Sequence, residues 1–334
     1  MVNDNFFMNL ALQEAWKYQG ITYPNPAVGA VIVDKNGKIL SISAHKKQGT
    51  PHAELNATKE AYLALRSDDY LRDLTDPTQI HSYLLQNHNN LFKNCKIYVT
   101  LEPCNHFGST PPCSLLLLTL GFSEVIIGSV EENPKAVGGI NRLKQNGMKV
   151  RYGVLKEECD LLLYPFKKWQ RDRFVFFKIA TNLNGSYDTG TISSQGSREY
   201  VHKLRDKIDL LIIGGDTVRK DRPLLDSRLI DGKAPDILIY SKQKIFDKSI
   251  ALFGIKDRKV FISNSLDITK NYNFIMIEGG DKMLKATKSI TNWYLFFIAP
   301  TIKKGSFMTT PLSFKPLYRQ DIEGDTMIWL DKII

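Results

Sequence analysis

His52-Ala53-Glu54 and, further along the chain, Pro103-Cys104 followed by Cys113 supply one imidazole, two thiols and a carboxylate. Three such ligands suit a tetrahedral zinc whose fourth position is left to water, and a carboxylate two residues from the histidine can move that water's protons. The chemistry implied is hydrolytic, and a His-x-Glu opening one helix with a Pro-Cys preceding another points to removal of an amino group from a base. A closed zinc site with a fourth protein ligand is the structural alternative. The chain has four cysteines, Cys95, Cys104, Cys113 and Cys159, too few for a disulfide scaffold. Cys104 and Cys113 are therefore read as metal ligands, and Cys95 and Cys159 as buried thiols.

Alternating helices and strands must position these groups. Asp4 or Asn5 can cap a helix with Phe7, Leu10, Ala11 and Ala15 on one face, ended by Gly20. A buried strand over residues 27–33 follows, and Asn36-Gly37 signals a hairpin into residues 38–43. Residues 53–66 read as a helix, 96–101 as a strand, and 113–120 as a helix stopped by Gly121. This pattern sets His52 and Cys113 at helix starts and Cys104 just past a strand; the partial positive charge at helix N-termini favours thiolate. Between them, residues 67–94 are polar and carry His81 and His88, which are expected to be solvated loop histidines on a surface insertion with one or two short helices. A strand at 124–128, a helix at 140–146 and a strand at 149–152 complete a first domain over residues 1–155.

Residues 156–173 read as a charged, mostly helical connector, and a second domain is expected over 174–334. Its pattern is a strand at 174–180, a helix at 196–206, a strand at 209–213 ending in Gly214-Gly215, and strands near 236–240, 259–262 and 273–277. The last of these runs into Glu278-Gly279-Gly280 and a helix. Such alternation implies an α/β domain with a mostly parallel sheet and glycine turns where ligands bind. No G-x-G-x-x-G follows a strand, so a dinucleotide would be held by other means. No internal repeat links the halves.

The 334 residues are 43% hydrophobic and 24% charged, as in a soluble globular protein of about two domains. No apolar run is long enough for a membrane span and the first residues lack a basic signal-peptide start, so the expected compartment is cytoplasmic. The net charge of +10 comes without a dense Lys/Arg block interleaved with aromatics. That favours anionic small molecules over nucleic acid as partners.

Eight residues separate the two ligand cysteines, where nucleobase deaminases usually have Pro-Cys-x-x-Cys. Thr100-Leu-Glu-Pro-Cys-Asn-His-Phe-Gly-Ser-Thr-Pro-Pro-Cys113, with Tyr23-Pro-Asn-Pro-Ala-Val-Gly-Ala-Val-Ile-Val33 and His45 upstream of His52, resembles the bifunctional riboflavin biosynthesis deaminase/reductase family. The resemblance continues through Lys178-Ile-Ala180, Leu204-Arg205, Gly214-Gly-Asp-Thr217, Asp221-Arg-Pro-Leu-Leu225, Arg228 and Glu278-Gly-Gly280, and so covers nearly the whole chain. It implies a cytidine-deaminase-like α/β/α domain followed by a dihydrofolate-reductase-like α/β domain. The implied activities are zinc-dependent deamination of 2,5-diamino-6-(5-phosphoribosylamino)pyrimidin-4(3H)-one, then NADPH-dependent opening of the ribosyl group to ribityl. Zn2+ would be held by His52, Cys104 and Cys113, and Glu54 would be catalytic. Asn25, His45, His106 and Thr110 would line the pyrimidine and its phosphate.

In the second half the resemblance implies substrate contacts at Lys178, Thr189, Arg205, Leu225, Arg228 and Glu278. It implies cofactor contacts at Ala180, Thr191, Thr217, Asp221, Gly279 and Gly280, and a homo-oligomer. Three positions depart from the family. Asn184 stands where an aspartate is usual, and Thr189 and Thr191 near a usual serine and tryptophan. Two further readings stand beside this one: a deaminase whose second half is only a binding or scaffold module, and a base deaminase acting on nucleic acid.

Overall fold

A computed structural model describes residues 3–108, 111–133 and 137–333. The chain divides into two compact units, Met1–Phe166 and Lys167–Ile334.

In the first unit, α1 (Asp4–Trp16) is capped by Asn3, whose side chain accepts the Phe6 N–H. The cap falls one residue before the expected Asp4. Strands β1 (Gly29–Val33) and β2 (Ile39–Ala44) form the hairpin expected at Asn36-Gly37, with Gly37 at φ +82°. Helix α2 (Ala53–Leu65), two further helices α3 (Asp69–Asp73) and α4 (Pro77–Asn87), strand β3 (Lys96–Leu101) and helix α5 (Cys113–Leu120) follow. Strand β4 (Glu124–Ser129), helix α6 (Gly139–Gln145) and strand β5 (Lys149–Tyr152) complete the sheet, in the order β2-β1-β3-β4-β5. Strand β1 runs antiparallel to both neighbours, whereas β3, β4 and β5 are mutually parallel.

Both faces of this sheet are covered, which is why its central strands are almost continuously apolar. Ala30, Ile32, Ile97 and Val99 enter a core shared with Ala57, Ala61, Leu116 and Leu117 of α2 and α5. On the other face Tyr98 meets Phe7 of α1, with ring centroids 5.1 Å apart. Gly29 has no freedom to become larger, because a Cβ there would lie 1.9 Å from the carbonyl oxygen of Ala11.

The segment 67–94 is less peripheral than its polar composition suggests. Leu71, Ile80, Leu84 and Phe92 join the same core, and α4 packs against α2 and α5. His81 is helical and 3% exposed rather than a solvated loop histidine, because it lies on the α4 face that carries Ile80 and Leu84.

Helix α7 (Lys156–Arg171) leads into the second unit. There follow β6 (Phe174–Asn182), β7 (Ser186–Tyr187), α8 (Gln195–Lys207), β8 (Leu210–Gly214), α9 (Gly215–Asp221), β9 (Asp236–Tyr240), β10 (Val260–Ser263), β11 (Phe274–Glu278) and α10 (Asp281–Thr287). Four more strands close the chain: β12 (Trp293–Ala299), β13 (Ser306–Phe307), β14 (Ser313–Ile322) and β15 (Asp325–Ile333). The main sheet has eight strands in the order β10-β9-β8-β11-β6-β12-β15-β14. It is parallel from β10 to β12 and antiparallel at β15 and β14. The mostly parallel sheet is as expected, but the antiparallel hairpin of β14 and β15 had no counterpart in the sequence reading. A short ribbon of β7 with β13 lies apart from the main sheet.

Candidate active sites

His52 is the N-cap residue of α2, and Cys113 begins α5. Cys104 follows β3 and is held by backbone: its carbonyl accepts the Ser114 N–H at 3.2 Å and its Sγ the Cys113 N–H at 3.4 Å. His52 Nδ1 then lies 3.6 Å from Cys104 Sγ and 3.5 Å from Cys113 Sγ, and the three ligand atoms fall within 4.8 Å of one another. Zinc bonds of ordinary length at tetrahedral angles require an N···S separation of about 3.6 Å. The donor set and its spacing both fit the ion.

The electrostatics suit a cation as well. Hydrogen bonding from Cys113, with the His52 ring beside it, outweighs burial and brings the Cys104 thiol down to about 4, while the same contact and burial push Cys113 upward. Burial opposes protonation of His52, but the Cys104 thiolate wins and raises it. Glu54, 4% exposed in the first turn of α2, is pushed up to about 7 by burial and by the charge of Cys104. A carboxyl near neutrality can both take and give a proton.

Asn25 and His45 come together beside this cluster. The Pro51 carbonyl can only accept, so His45 Nδ1 donates to it at 3.1 Å, leaving Nε2 to accept from Asn25 Nδ2 at 3.1 Å. Burial lowers His45 to about 4, so the ring is neutral and this tautomer is fixed. His45 thus orients Asn25, and its ring stands 5.5 Å from that of His52. His106 lies exposed on the loop between the cysteines, and Thr110 lies outside the described residues.

Glu102 was not singled out from the sequence. Its carboxylate is 4% exposed and accepts backbone N–H groups of Glu131 at 3.1 Å, Gly138 at 3.2 Å and Ile140 at 2.9 Å. It ties the Cys104 loop to the segment before α6, where Gly139 packs so closely that a Cβ would lie 1.9 Å from the Pro103 carbonyl oxygen. The available signal was an acid closing an otherwise apolar strand.

In the second unit, the parallel register of β6 and β11 sets Lys178 opposite Glu278. Arg205, from α8, grips Glu278 with bonds of 2.9 and 3.0 Å and reaches the Asp226 carbonyl at 3.4 Å. Burial lowers Lys178 against the opposing charge of Glu278, whereas Arg205 and Lys178 hold Glu278 low despite its burial. Leu225 is buried at φ +56°, and Arg228, more than half exposed, pairs with Asp226 at 2.6 Å. Ala180 lies two residues past Lys178 and so on the same face of β6. Thr217 and Asp221 are on α9 after β8, and Gly279-Gly280 follow the neighbouring β11, so both sets stand at C-terminal ends of adjacent parallel strands. Thr189 accepts from Asn182 Nδ2 at 3.1 Å, and Thr191 is exposed on the loop leading to α8. A Cβ on Gly280 would lie 2.3 Å from the Tyr187 ring, so that ring packs directly against the turn.

A zinc-type deaminase half and a reductase-type half define the class of this protein. Residues 1–129 match the model of the cytidine and deoxycytidylate deaminase zinc-binding region, and residues 173–303 match the RibD C-terminal domain. The chain is 32% identical over 281 residues to riboflavin biosynthesis protein RibD of Synechocystis sp., covering 80% of this chain and 69% of that protein. It is 30% identical over 341 residues to RibD of Aquifex aeolicus, covering 90% and 87%. The structure is similar to a diaminohydroxyphosphoribosylaminopyrimidine deaminase/5-amino-6-(5-phosphoribosylamino)uracil reductase from Thermotoga maritima, with TM-score 0.64, 26% identity and 98% of each chain covered. The chain belongs to the RibD family of riboflavin biosynthesis proteins. It is a bifunctional deaminase and reductase, with a cytidine-deaminase-like first domain and a dihydrofolate-reductase-like second; its cofactors are zinc and NADPH. Among the described residues no helix is long and apolar enough to cross a membrane.

Proposed function

We propose that the first half hydrolyses the 2-amino group of 2,5-diamino-6-(5-phosphoribosylamino)pyrimidin-4(3H)-one, and that the second reduces the ribosyl group of the product to ribityl. The observation carrying the first step is the convergence of His52 Nδ1 and two cysteine sulfurs beside the buried carboxyl of Glu54. His52, Cys104 and Cys113 would hold the zinc, which would supply a water acidified to near neutral pH. Glu54 would take one proton from the attacking water and pass it to the ring nitrogen as the C–O bond forms, then move the second from the new hydroxyl to the amino nitrogen, so that the C–N bond breaks, ammonia leaves and the carbonyl remains. Asn25, held by neutral His45, orients the pyrimidine edge, and the family resemblance assigns His106 and Thr110 to the phosphate.

In the second half Arg205 and Glu278 form a fixed buried pair next to Lys178, and Arg228 offers a more exposed guanidinium suited to phosphate. Leu225 and Thr189 complete the substrate side, while Ala180, Thr191, Thr217, Asp221, Gly279 and Gly280 form the cofactor side. NADPH supplies the hydride that this fold itself cannot. Lys178 places positive charge beside the ribose, and its partner Glu278 keeps that charge in one place. The family resemblance supports a homo-oligomer, and the composition supports a cytoplasmic setting.

The test uses zinc-loaded protein and the diaminopyrimidine substrate. Glu54→Gln is expected to lower ammonia release by roughly 10²–10⁴-fold with bound zinc unchanged. Full ammonia release by that variant would falsify the assignment. NADPH oxidation on addition of the deaminated compound separates the two-step enzyme from a deaminase with an inert second half.

A further inference from the structure

Tyr187 is the second residue of β7 and pairs with Ser306 of β13. Its ring lies over Gly280: a Cβ there would be 2.3 Å from Cε2 and 2.7 Å from Cζ. Its hydroxyl oxygen accepts the Asp281 N–H at 3.1 Å. The ribbon that carries the ring is fastened, because Asp188 accepts the Ser306 N–H at 3.0 Å and its hydroxyl at 2.9 Å. The Asp281 carboxylate accepts the N–H groups of Thr309 at 2.9 Å and Thr310 at 2.8 Å and the Thr309 hydroxyl, which hold it well below the usual carboxylate range.

A dinucleotide phosphate on this turn needs open space over the glycine, free backbone N–H groups and no nearby anion. All three conditions are compromised here. The ring fills the space, the phenol takes the Asp281 N–H, and the Asp281 carboxylate is anionic.

We infer that Tyr187 is a gate on the cofactor side of the reductase and sets its affinity for NADPH: the ring occupies the Gly279-Gly280 turn and must leave before the cofactor's phosphates can lie there. The inference rests on reading the second half as an NADPH-dependent reductase. With the closed form dominant, apparent affinity falls by the fraction of molecules that are open. The chain therefore trades cofactor affinity for a turn closed in the absence of cofactor.

The experiment is NADPH titration of the full-length, zinc-loaded protein by calorimetry and by nicotinamide fluorescence, with far-UV circular dichroism to establish folding. Tyr187→Ala is expected to tighten Kd at least about tenfold by removing the closed form. Tyr187→Phe, which keeps the ring and loses one neutral hydrogen bond, is expected to tighten it by roughly threefold to tenfold. Folded variants that bind NADPH as weakly as wild type, or more weakly, overturn the gate and make Tyr187 a scaffold residue or a cofactor contact; the reductase reading then stands. Absence of NADPH binding in wild type and both variants overturns the reductase reading and the gate with it.

Discussion

Glu102 shows how one side chain can govern a metal site without touching the metal. A buried carboxylate with three backbone donors is fully satisfied, and those donors belong to the segment that backs the Cys104 loop. Glu102→Gln turns one accepting oxygen into a donor facing N–H groups. It is expected to weaken zinc binding by about 10–100-fold, the usual effect of losing a group that orients a ligand. Competition with a chromophoric chelator measures this, and unchanged affinity would show that the cysteine loop holds its shape alone. Asn25→Ala belongs to the same scale. If the amide orients the pyrimidine, kcat/KM for ammonia release falls by roughly tenfold or more, with zinc content unaltered.

At the scale of elements, the first sheet is locked at one end by Glu124. The residue opens β4, its side chain is 2% exposed, and it accepts from Arg151 at 2.6 Å with Lys96 and Lys149 both at 3.2 Å. Burial alone would raise this carboxyl, but the three cations outweigh it and hold it low. A group with a lowered folded pKa contributes stability that is present above its unfolded value, about 4.3, and is lost as pH falls through the folded one. Glu124→Gln is expected to cost about 2 kcal/mol at pH 7, with the difference from wild type shrinking as pH falls below about 4.3 and through the lowered folded value. Amide hydrogen exchange in β3, β4 and β5 reads it out. Gly29→Ala tests packing instead of charge. The 1.9 Å approach to the Ala11 carbonyl forces α1 off the sheet, and a loss of about 1–3 kcal/mol is expected in thermal unfolding.

The elements around the ligands were legible because their signals are local. The strand Lys96–Leu101 and the helix Cys113–Leu120 with Gly121 at φ +68° are as read from the sequence. Signals failed where burial depends on distant partners. Residues 67–94 are rich in Asn and Asp, yet the few apolar positions share helix faces and enter the core, carrying His81 with them. β14 is the edge strand of the sheet and mostly exposed, which leaves little apolar periodicity to detect, while β15 beside it alternates buried and half-buried positions only over Asp325 to Leu330.

For the whole molecule, two units with separate cores and separate chemistry should fail separately. Removing zinc with a chelator is expected to abolish ammonia release while leaving NADPH oxidation on the deaminated compound intact. Lys178→Ala should do the reverse, lowering NADPH oxidation by about 10²-fold or more while ammonia release is unchanged. Loss of both activities in either experiment would show that the halves depend on each other.

The order and chemistry of the groups were determined by sequence alone. Histidine, glutamate and two cysteines at their spacing name the metal and the reaction, because ligand preference and acid–base capacity belong to residue types; the second activity was legible only through the resemblance of the later motifs to a known family. Distances were decided by tertiary structure. His52 and Cys113 are 61 residues apart and meet at 3.5 Å only because two helices begin at the same edge of one sheet. Tyr187 reaches across 94 residues to Asp281 and closes a glycine turn that reads as open in the linear chain. Such contacts depend on how separate elements pack, and local propensity carries no record of that.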